Sequence, residues 1–517
     1  MRNVKILWTD DEIDLLKPHI MFLKEKGYEV ETASNGDDAI EMVSDQTYDL
    51  MFLDENMPGL SGLETLSQIK AIRPGLPVVM ITKSEEEDIM DAAIGSKIAD
   101  YLIKPVNPKQ ILLTIKKFID TKRLITREVT SAYQSEFGKI GMDLMNASTY
   151  QDWAGIYKKL VFWELELQTS KDKSMEEVLK MQKTEANQGF ARYVRNNYLS
   201  WLSGGDAERP LLSPGVVKQK LLPLLEKGHK IFFIVIDNLR YDQWRIISRE
   251  IKDLYSIDEE MLYCSILPTA TQYARNSMFA GLMPYEIQQM YPDLWVEEDE
   301  DEGKNNYENQ LMEQQLARLG YRLNTRYEKI LNQRAGRKVV DNLSDLLQKD
   351  LVTLVYNFVD ILSHARTDVE MIRELAPDEP AYRSLTLSWF KHSDLQTLLD
   401  QLSQHDVKVI ITTDHGTIRV QNPIKVIGDK KTSVNLRYKQ GKNLNYNSKE
   451  VFELRDPMKA HLPQVNVSTS YIFAQGNDFM AYPNNFNYYV SYYKNTFQHG
   501  GVSMEEMIIP LSILSPR

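Results

Sequence analysis

Short apolar runs that each stop at a carboxylate, hydroxyl, imidazole or ammonium group recur along this 517-residue chain, separated by stretches with helical spacing. Residues 4–7 run into Thr9, Asp10 and Asp11, 50–53 into Asp54, 78–81 into Thr82, and 101–103 into Lys104. The pattern returns further along, where 230–236 leads to Asp237, 352–358 to Val359 and Asp360, and 407–411 to Thr412, Thr413, Asp414 and His415. Strands alternating with helices imply parallel sheets covered on both faces. In open sheets of this kind the working side chains gather beyond the carboxyl ends of the strands. The expected fold class is α/β, with two such rims in one chain.

A length of 517 residues exceeds one ordinary core, so two or three domains are expected. The net charge of -12 opposes wholesale coating of nucleic acid or an anionic membrane, leaving room only for a local basic patch. With Cys264 as the single cysteine, no internal disulfide can form, which suits a reducing compartment. The start MRNVKILWTDDE lacks the apolar stretch of a signal peptide, and no run of about 18 apolar residues occurs. The expected location is the cytoplasm.

In the first part of the chain, Asp10, Asp11 and Asp54 make an oxygen-rich site suited to a hard cation such as magnesium. A cation there screens an incoming phosphoryl group while Asp54 attacks it to form an acyl phosphate. Lys104 can pair with the phosphoryl oxygens, and Thr82 can turn toward them. At these residues the segment 1–122 resembles bacterial response-regulator receiver domains. The resemblance implies a flavodoxin-like domain with a five-stranded parallel sheet and phosphorylation on Asp54. It also implies magnesium held by Asp10, Asp11, Asp54 and Asn56, a switch made of Thr82, Tyr101 and Lys104, and a sensor histidine kinase as partner.

Between Pro108 and Pro210 there is no proline, and Leu, Met, Glu, Lys and aromatic residues dominate. Helices are predicted over 108–122, 128–144, 150–168 and 175–202, with Trp153, Tyr157, Phe162 and Trp163 as a packing stripe. A central helical bundle over 123–205 is expected, closing on a linker at Ser203, Gly204 and Gly205. It is the covalent route between the two halves.

Beyond residue 206 the strand ends deliver metal-ligand chemistry. Asp360 and His364 stand four apart, a spacing that places both on one face of a helical turn. Asp414 and His415 are adjacent at a strand end and can serve one metal with Asp237, while the glycines after His499 let backbone approach a ligand closely. Carboxylate with imidazole favours zinc over manganese. Thr271, in LPTATQYARN, sits where a nucleophile is needed. Arg275 and Asn276 beside it suit either a transition-state anion or a surface or packing role.

The stretches IVIDNLRYDQW and LPTATQYARNSMFAG, with the Asp and His residues above, resemble the PglZ branch of the alkaline phosphatase superfamily over 206–517. The resemblance implies an alkaline-phosphatase-like α/β effector domain with two zinc ions. It assigns one to Asp360, His364 and His499, and the other to Asp237, Thr271, Asp414 and His415, with Thr271 attacking phosphorus. Asn238 stands where related sequences often have glycine. The whole arrangement is similar to response regulators linked to type IX secretion, which implies a sigma factor and a secretion-motor membrane protein as partners.

Two segments interrupt the effector half. EEDEDE at 297–302 has the composition of an exposed acidic loop. Residues 425–459 hold nine Lys or Arg against four Asp or Glu, with Tyr438 and Tyr446 interleaved, so they form either a charged cap or a surface that steers a polyanion and stacks its bases. The leading expectation is a phosphorylation-controlled phosphodiesterase acting on nucleotides or short oligonucleotides, cyclic or linear, that dimerises when phosphorylated. A close alternative is phosphomonoesterase activity, and a second is a metal-stabilised scaffold that binds its partners without turnover. No helix-turn-helix pattern is apparent, so direct promoter binding is not expected.

Overall fold

A computed structural model describes residues 4–83, 98–168, 173–204, 208–297, 303–428, 432–464 and 466–517. The chain divides into two compact units, Met1–Ala132 and Tyr133–Arg517. The acidic run 298–302 and part of the predicted linker at Gly205 lie outside the described residues.

The first unit is built on strands β1 (Lys5–Thr9), β2 (Glu29–Ala33), β3 (Leu50–Asp54), β4 (Val78–Thr82) and β5 (Asp100–Ile103), arranged β2-β1-β3-β4-β5 with every pairing parallel. This is the expected flavodoxin-like sheet. Alternate residues feed two cores. Leu7, Met51, Leu53, Val78 and Met80 face one layer of helices, and Ile6, Trp8, Phe52, Val79 and Ile81 face the other. The helix Gly62–Ile72 starts at a Ser61–Glu64 capping box, and Gly62 is forced by space, since a Cβ there would lie 2.4 Å from the Asp54 carbonyl oxygen.

The second unit centres on β6 (Ile231–Ile236), β7 (Tyr255–Cys264), β8 (Thr325–Ile330), β9 (Leu351–Tyr356), β10 (Lys408–Thr412) and, from the far end of the chain, β18 (Ile508–Pro516). Their order is β7-β18-β10-β6-β9-β8, with β10, β6, β9 and β8 parallel and β18 and β7 added antiparallel. Every residue of β6 and β9 is buried, as their sequences IFFIVI and LVTLVY, apolar but for Thr353, suit central strands. The 352–358 run splits in the structure. β9 ends at Tyr356, and Phe358 opens the helix Phe358–Asp368, so Asp360 and His364 both stand on that helix. The remaining strands form small satellite sheets: β11 (Ile418–Arg419) with β17 (Phe497–Gln498), β12 (Asn422–Lys425) with β16 (Asp478–Ala481), and β13 (Tyr438–Lys442) and β14 (Val451–Leu454) flanking β15 (Thr469–Ala474).

Helices Tyr150–Gln168 and Lys173–Ser203 occupy the predicted middle and pack onto the effector fold. Trp153 meets Phe190 and Tyr193, Tyr157 meets Tyr241, and Asn187 donates to Glu505 and accepts from the Met504 amide. Phe162 departs from the expected stripe, with its ring half exposed. Charge joins the layers as well. Glu164 pairs with Lys183 and Arg383, Asp242 bridges Arg383 and Arg240, Arg240 reaches Glu379, and Lys183 reaches Glu505. Among the described residues no helix is long and apolar enough to cross a membrane.

Candidate active site

Because β10, β6 and β9 are neighbours in the sheet, the residues just past their carboxyl ends converge. Asp237 follows β6, Asp414 and His415 follow β10, and Asp360 and His364 occupy the first turns after β9. His499 arrives from β17, and Thr271 is the first residue of the helix Thr271–Ala280. Two donor groups result: Asp360, His364 and His499 form one, and Asp237, Asp414 and His415 the other, with the ligand atoms of each within 4.8 Å of one another. The His415 and His499 rings stack at 4.3 Å and so bring the two groups side by side. Thr271 Oγ1 lies 3.2 Å from His415 Nε2.

The donors suit metal ions. His415 Nδ1 and His499 Nδ1 contact the carbonyls of Gly416 and Thr269, each at 3.1 Å, which turns both Nε2 atoms inward. Burial pushes the His499 pKa down to about 3 and lowers that of His415, keeping both imidazoles in the neutral ligand form. Burial raises Asp237 and Asp414 despite the pull of Arg275; Asp414 and Asp360 add to the rise of Asp237, and Asp360 adds to that of Asp414. Asp237 Oδ1 and Asp414 Oδ2 are buried and accept no hydrogen bond. Crowded, orphaned carboxylate oxygens facing neutral imidazoles are what a pair of cations would relieve.

Two neighbours that local sequence could not interpret hold this arrangement. Arg275 is fully buried, with Nη1 2.8 Å from Asp237 Oδ2 and Nε 2.6 Å from Glu308 Oε1. It is committed to the carboxylates, so the packing reading of Arg275 stands and the substrate-anion reading is set aside. Asn276 is buried too and donates to the Lys304 carbonyl. Asn238 adopts φ 63°, the left-handed conformation that asparagine tolerates where glycine is common. Its Nδ2 donates to Asp360 Oδ1 at 3.2 Å and to Ser363 Oγ at 3.1 Å, tying the two donor groups together, and Asn357 Nδ2 anchors Asp237 at 2.9 Å.

The basic segment differs from expectation. Arg437 is buried against Glu506, Lys439 is buried and donates to the Ser433 carbonyl, Tyr438 is buried, and Tyr446 packs on a satellite core and donates to Glu453. β13 pairs along β15 and Tyr438 on it is buried, so Tyr438 offers no stacking surface, while Tyr446 lies beyond the strand and is partly exposed. The larger of the two described cavities, about 730 Å³, also lies away from the metal-type donors. It opens between the two middle helices and the effector, over Glu164, Lys183, Arg383 and Glu505. The carboxylates of Glu164, Asp242 and Glu379 cluster there, but the arginines already neutralise them.

In the first unit, Lys104 Nζ bridges Asp10 Oδ2 at 2.9 Å and Asp54 Oδ1 at 2.8 Å, with Asp11 completing a third acidic group. Burial raises the Asp54 carboxyl above its ordinary range; Asp10 adds to the rise and Lys104 opposes it. Thr82 donates to Glu55, a buried residue the sequence did not single out. Tyr101 is 40% exposed, and Asn56 follows with its side chain exposed.

Comparisons with known proteins follow the same division. Residues 6–116 match the response regulator receiver domain, 123–202 the PorX response regulator linker domain, and 216–513 the BREX system PglZ alkaline phosphatase-like domain. The transcriptional regulatory protein ZraR of Klebsiella oxytoca is 35% identical over 139 residues, 27% of this chain and 31% of that one. ResD of Bacillus subtilis is 34% identical over 117 residues, 23% of this chain and 48% of its own length. The chain thus spans a third to a half of these curated relatives. A CheY-like receiver domain from Methanospirillum hungatei JF-1 is 28% identical and covers 23% of this chain and 96% of its own, with a TM-score of 0.23.

Proposed function

Because the chain belongs to the PglZ family of alkaline-phosphatase-like proteins and is a response regulator with a receiver and a PorX-type linker, we propose that its effector is a zinc-dependent phosphodiesterase governed by phosphorylation of Asp54. Nucleotides or short oligonucleotides, cyclic or linear, are the proposed substrates. The observation that carries this reading is the pairing of two three-donor groups through the stacked His415 and His499 rings, with the Thr271 hydroxyl at their edge.

Zinc ions, held by Asp360, His364 and His499 and by Asp237, Asp414, His415 and Thr271, would supply Lewis acidity toward the phosphate and lower the hydroxyl pKa. Thr271 Oγ attacks phosphorus, the bond to the leaving alcohol breaks, and water then hydrolyses the phosphothreonine ester. Its place at the start of a ten-residue helix puts the developing negative charge at the positive end of the helix dipole. Arg275 opposes the rise that burial imposes on the Asp237 carboxyl and holds it in place, and Asn238 holds Asp360 in register with it.

Elemental analysis beside turnover of a nitrophenyl phosphodiester tests metal and chemistry in one sample. His499→Ala is expected to reduce zinc from about two ions per chain to about one, because it leaves that donor group short of a ligand. His364→Ala is expected to do the same with less disturbance of the fold, since that side chain is 60% exposed. Unchanged zinc in both variants would remove this assignment.

The receiver calls for a sensor histidine kinase, and the proposed setting is regulation of type IX secretion in the cytoplasm through a sigma factor and a secretion-motor membrane protein. Phosphorylation is expected to convert monomer to dimer, because Thr82 and the exposed Tyr101 sit on β4 and β5, the edge that receivers remodel. Light scattering with and without a small phosphodonor reads this directly; one unchanged mass would reject it.

A further inference from the structure

The helix Phe486–Tyr493, sequence FNYYVSYY, turns aromatic rings toward solvent where a surface helix ordinarily carries charge. Phe486, Val490 and Tyr493 follow the i, i+4, i+7 spacing and pack on a satellite core around Val420 and Phe479. Tyr488 and Tyr489 are left 64% and 38% exposed. Their rings are ordered, Tyr488 lying 6.2 Å from Tyr492 and Tyr489 6.2 Å from Tyr493, with interplanar angles of 15° and 12°. Burial accounts least for Tyr488, most of whose side chain is open to solvent.

Position supplies the reason. The helix leads through β17 directly into His499. Gln498 Nε2 donates to Thr367 Oγ1 on the helix that carries Asp360 and His364, and Arg373, on the next helix, donates to the Thr367 carbonyl. The Arg373 guanidinium in turn lies 5.3 Å from the Tyr492 ring, and Lys425 Nζ lies 4.9 Å from the Phe486 ring. Gln498 and Arg373 thus link this helix to the one that carries Asp360 and the solvent-open His364.

We propose that this tyrosine face is a stacking platform for the bases of a single-stranded oligonucleotide whose scissile phosphate reaches Thr271; the inference rests on the phosphodiesterase reading. Aromatic rings interleaved with cations bind single strands with little sequence preference, since every base presents a π face. On a chain of net charge -12 such attraction must be local, and Arg373 and Lys425 make it so.

The test is binding of a fluorescein-labelled oligoadenylate with hydrolysis-resistant phosphorothioate linkages, followed by anisotropy on the full-length, zinc-loaded protein. Tyr488→Ala and Tyr489→Ala are each expected to weaken binding about tenfold, Tyr488→Phe to retain it, and an abasic strand of equal length to bind weakly to all four proteins. Alanine variants that bind as the wild type does, or equal wild-type affinity for abasic and adenylate strands, would overturn the proposal. Nitrophenyl phosphodiester turnover by the wild type, measured in parallel, separates the two readings. Ring-dependent binding without turnover upholds the platform and removes the enzyme, whereas turnover with ring-independent binding does the reverse.

Discussion

Replacing Thr271 by valine is expected to abolish phosphodiester turnover while leaving zinc in place. Valine matches threonine in shape and removes only the hydroxyl, and the six carboxylate and imidazole donors stay where they are. A covalent nucleophile that acts as a unit with its metal site is worth roughly four to six powers of ten in kcat. Turnover of a nitrophenyl phosphodiester and of a short oligonucleotide by wild type and Thr271→Val, with zinc quantified in both, reads the effect. Equal rates would mean that water attacks phosphorus directly. Absence of turnover by the wild type, with or without phosphodonor, would favour the scaffold function instead.

Asp54→Ala is expected to eliminate phosphorylation, because Asp54 alone ends the central strand β3 opposite Asp10 and Asp11 and within reach of Lys104. Incubation with a small phosphodonor and magnesium should give an acid-stable, base-labile label on wild type and none on the variant. Label that survives would place the acceptor elsewhere. A phosphoryl group on Asp54 would compete with Glu55 for the Thr82 hydroxyl, so the same substitution is expected to hold the protein in its monomeric form.

Much of this site was legible because its donors are tied to local pattern. An apolar run ending in Asp or His announces a strand end, and parallel topology then makes the ends of β10, β6 and β9 meet. What could not be read depends on contact between distant segments. Arg275 looked equally suited to substrate or core until Glu308 and Asp237 were found on either side of it. The antiparallel strands β18 and β7 escaped notice because the pairing joins residues about half the chain apart. Tyr438 illustrates the same limit, since composition records an aromatic residue among lysines but not which way its strand turns it.

The buried ion pairs beneath the two middle helices set a condition on modularity. Arg240 stands three residues beyond Asp237, and through Asp242 and Arg383 it is charge-matched to Glu164, a residue of the helix Tyr150–Gln168. Separating the helices from the phosphatase-like fold would take Glu164 from Arg383 and open to water a face that the intact chain buries. The portable cassette is therefore larger than the phosphatase-like fold. An input domain can be exchanged only upstream of these helices, and whatever displaces them acts on the same chain of charges that begins beside Asp237.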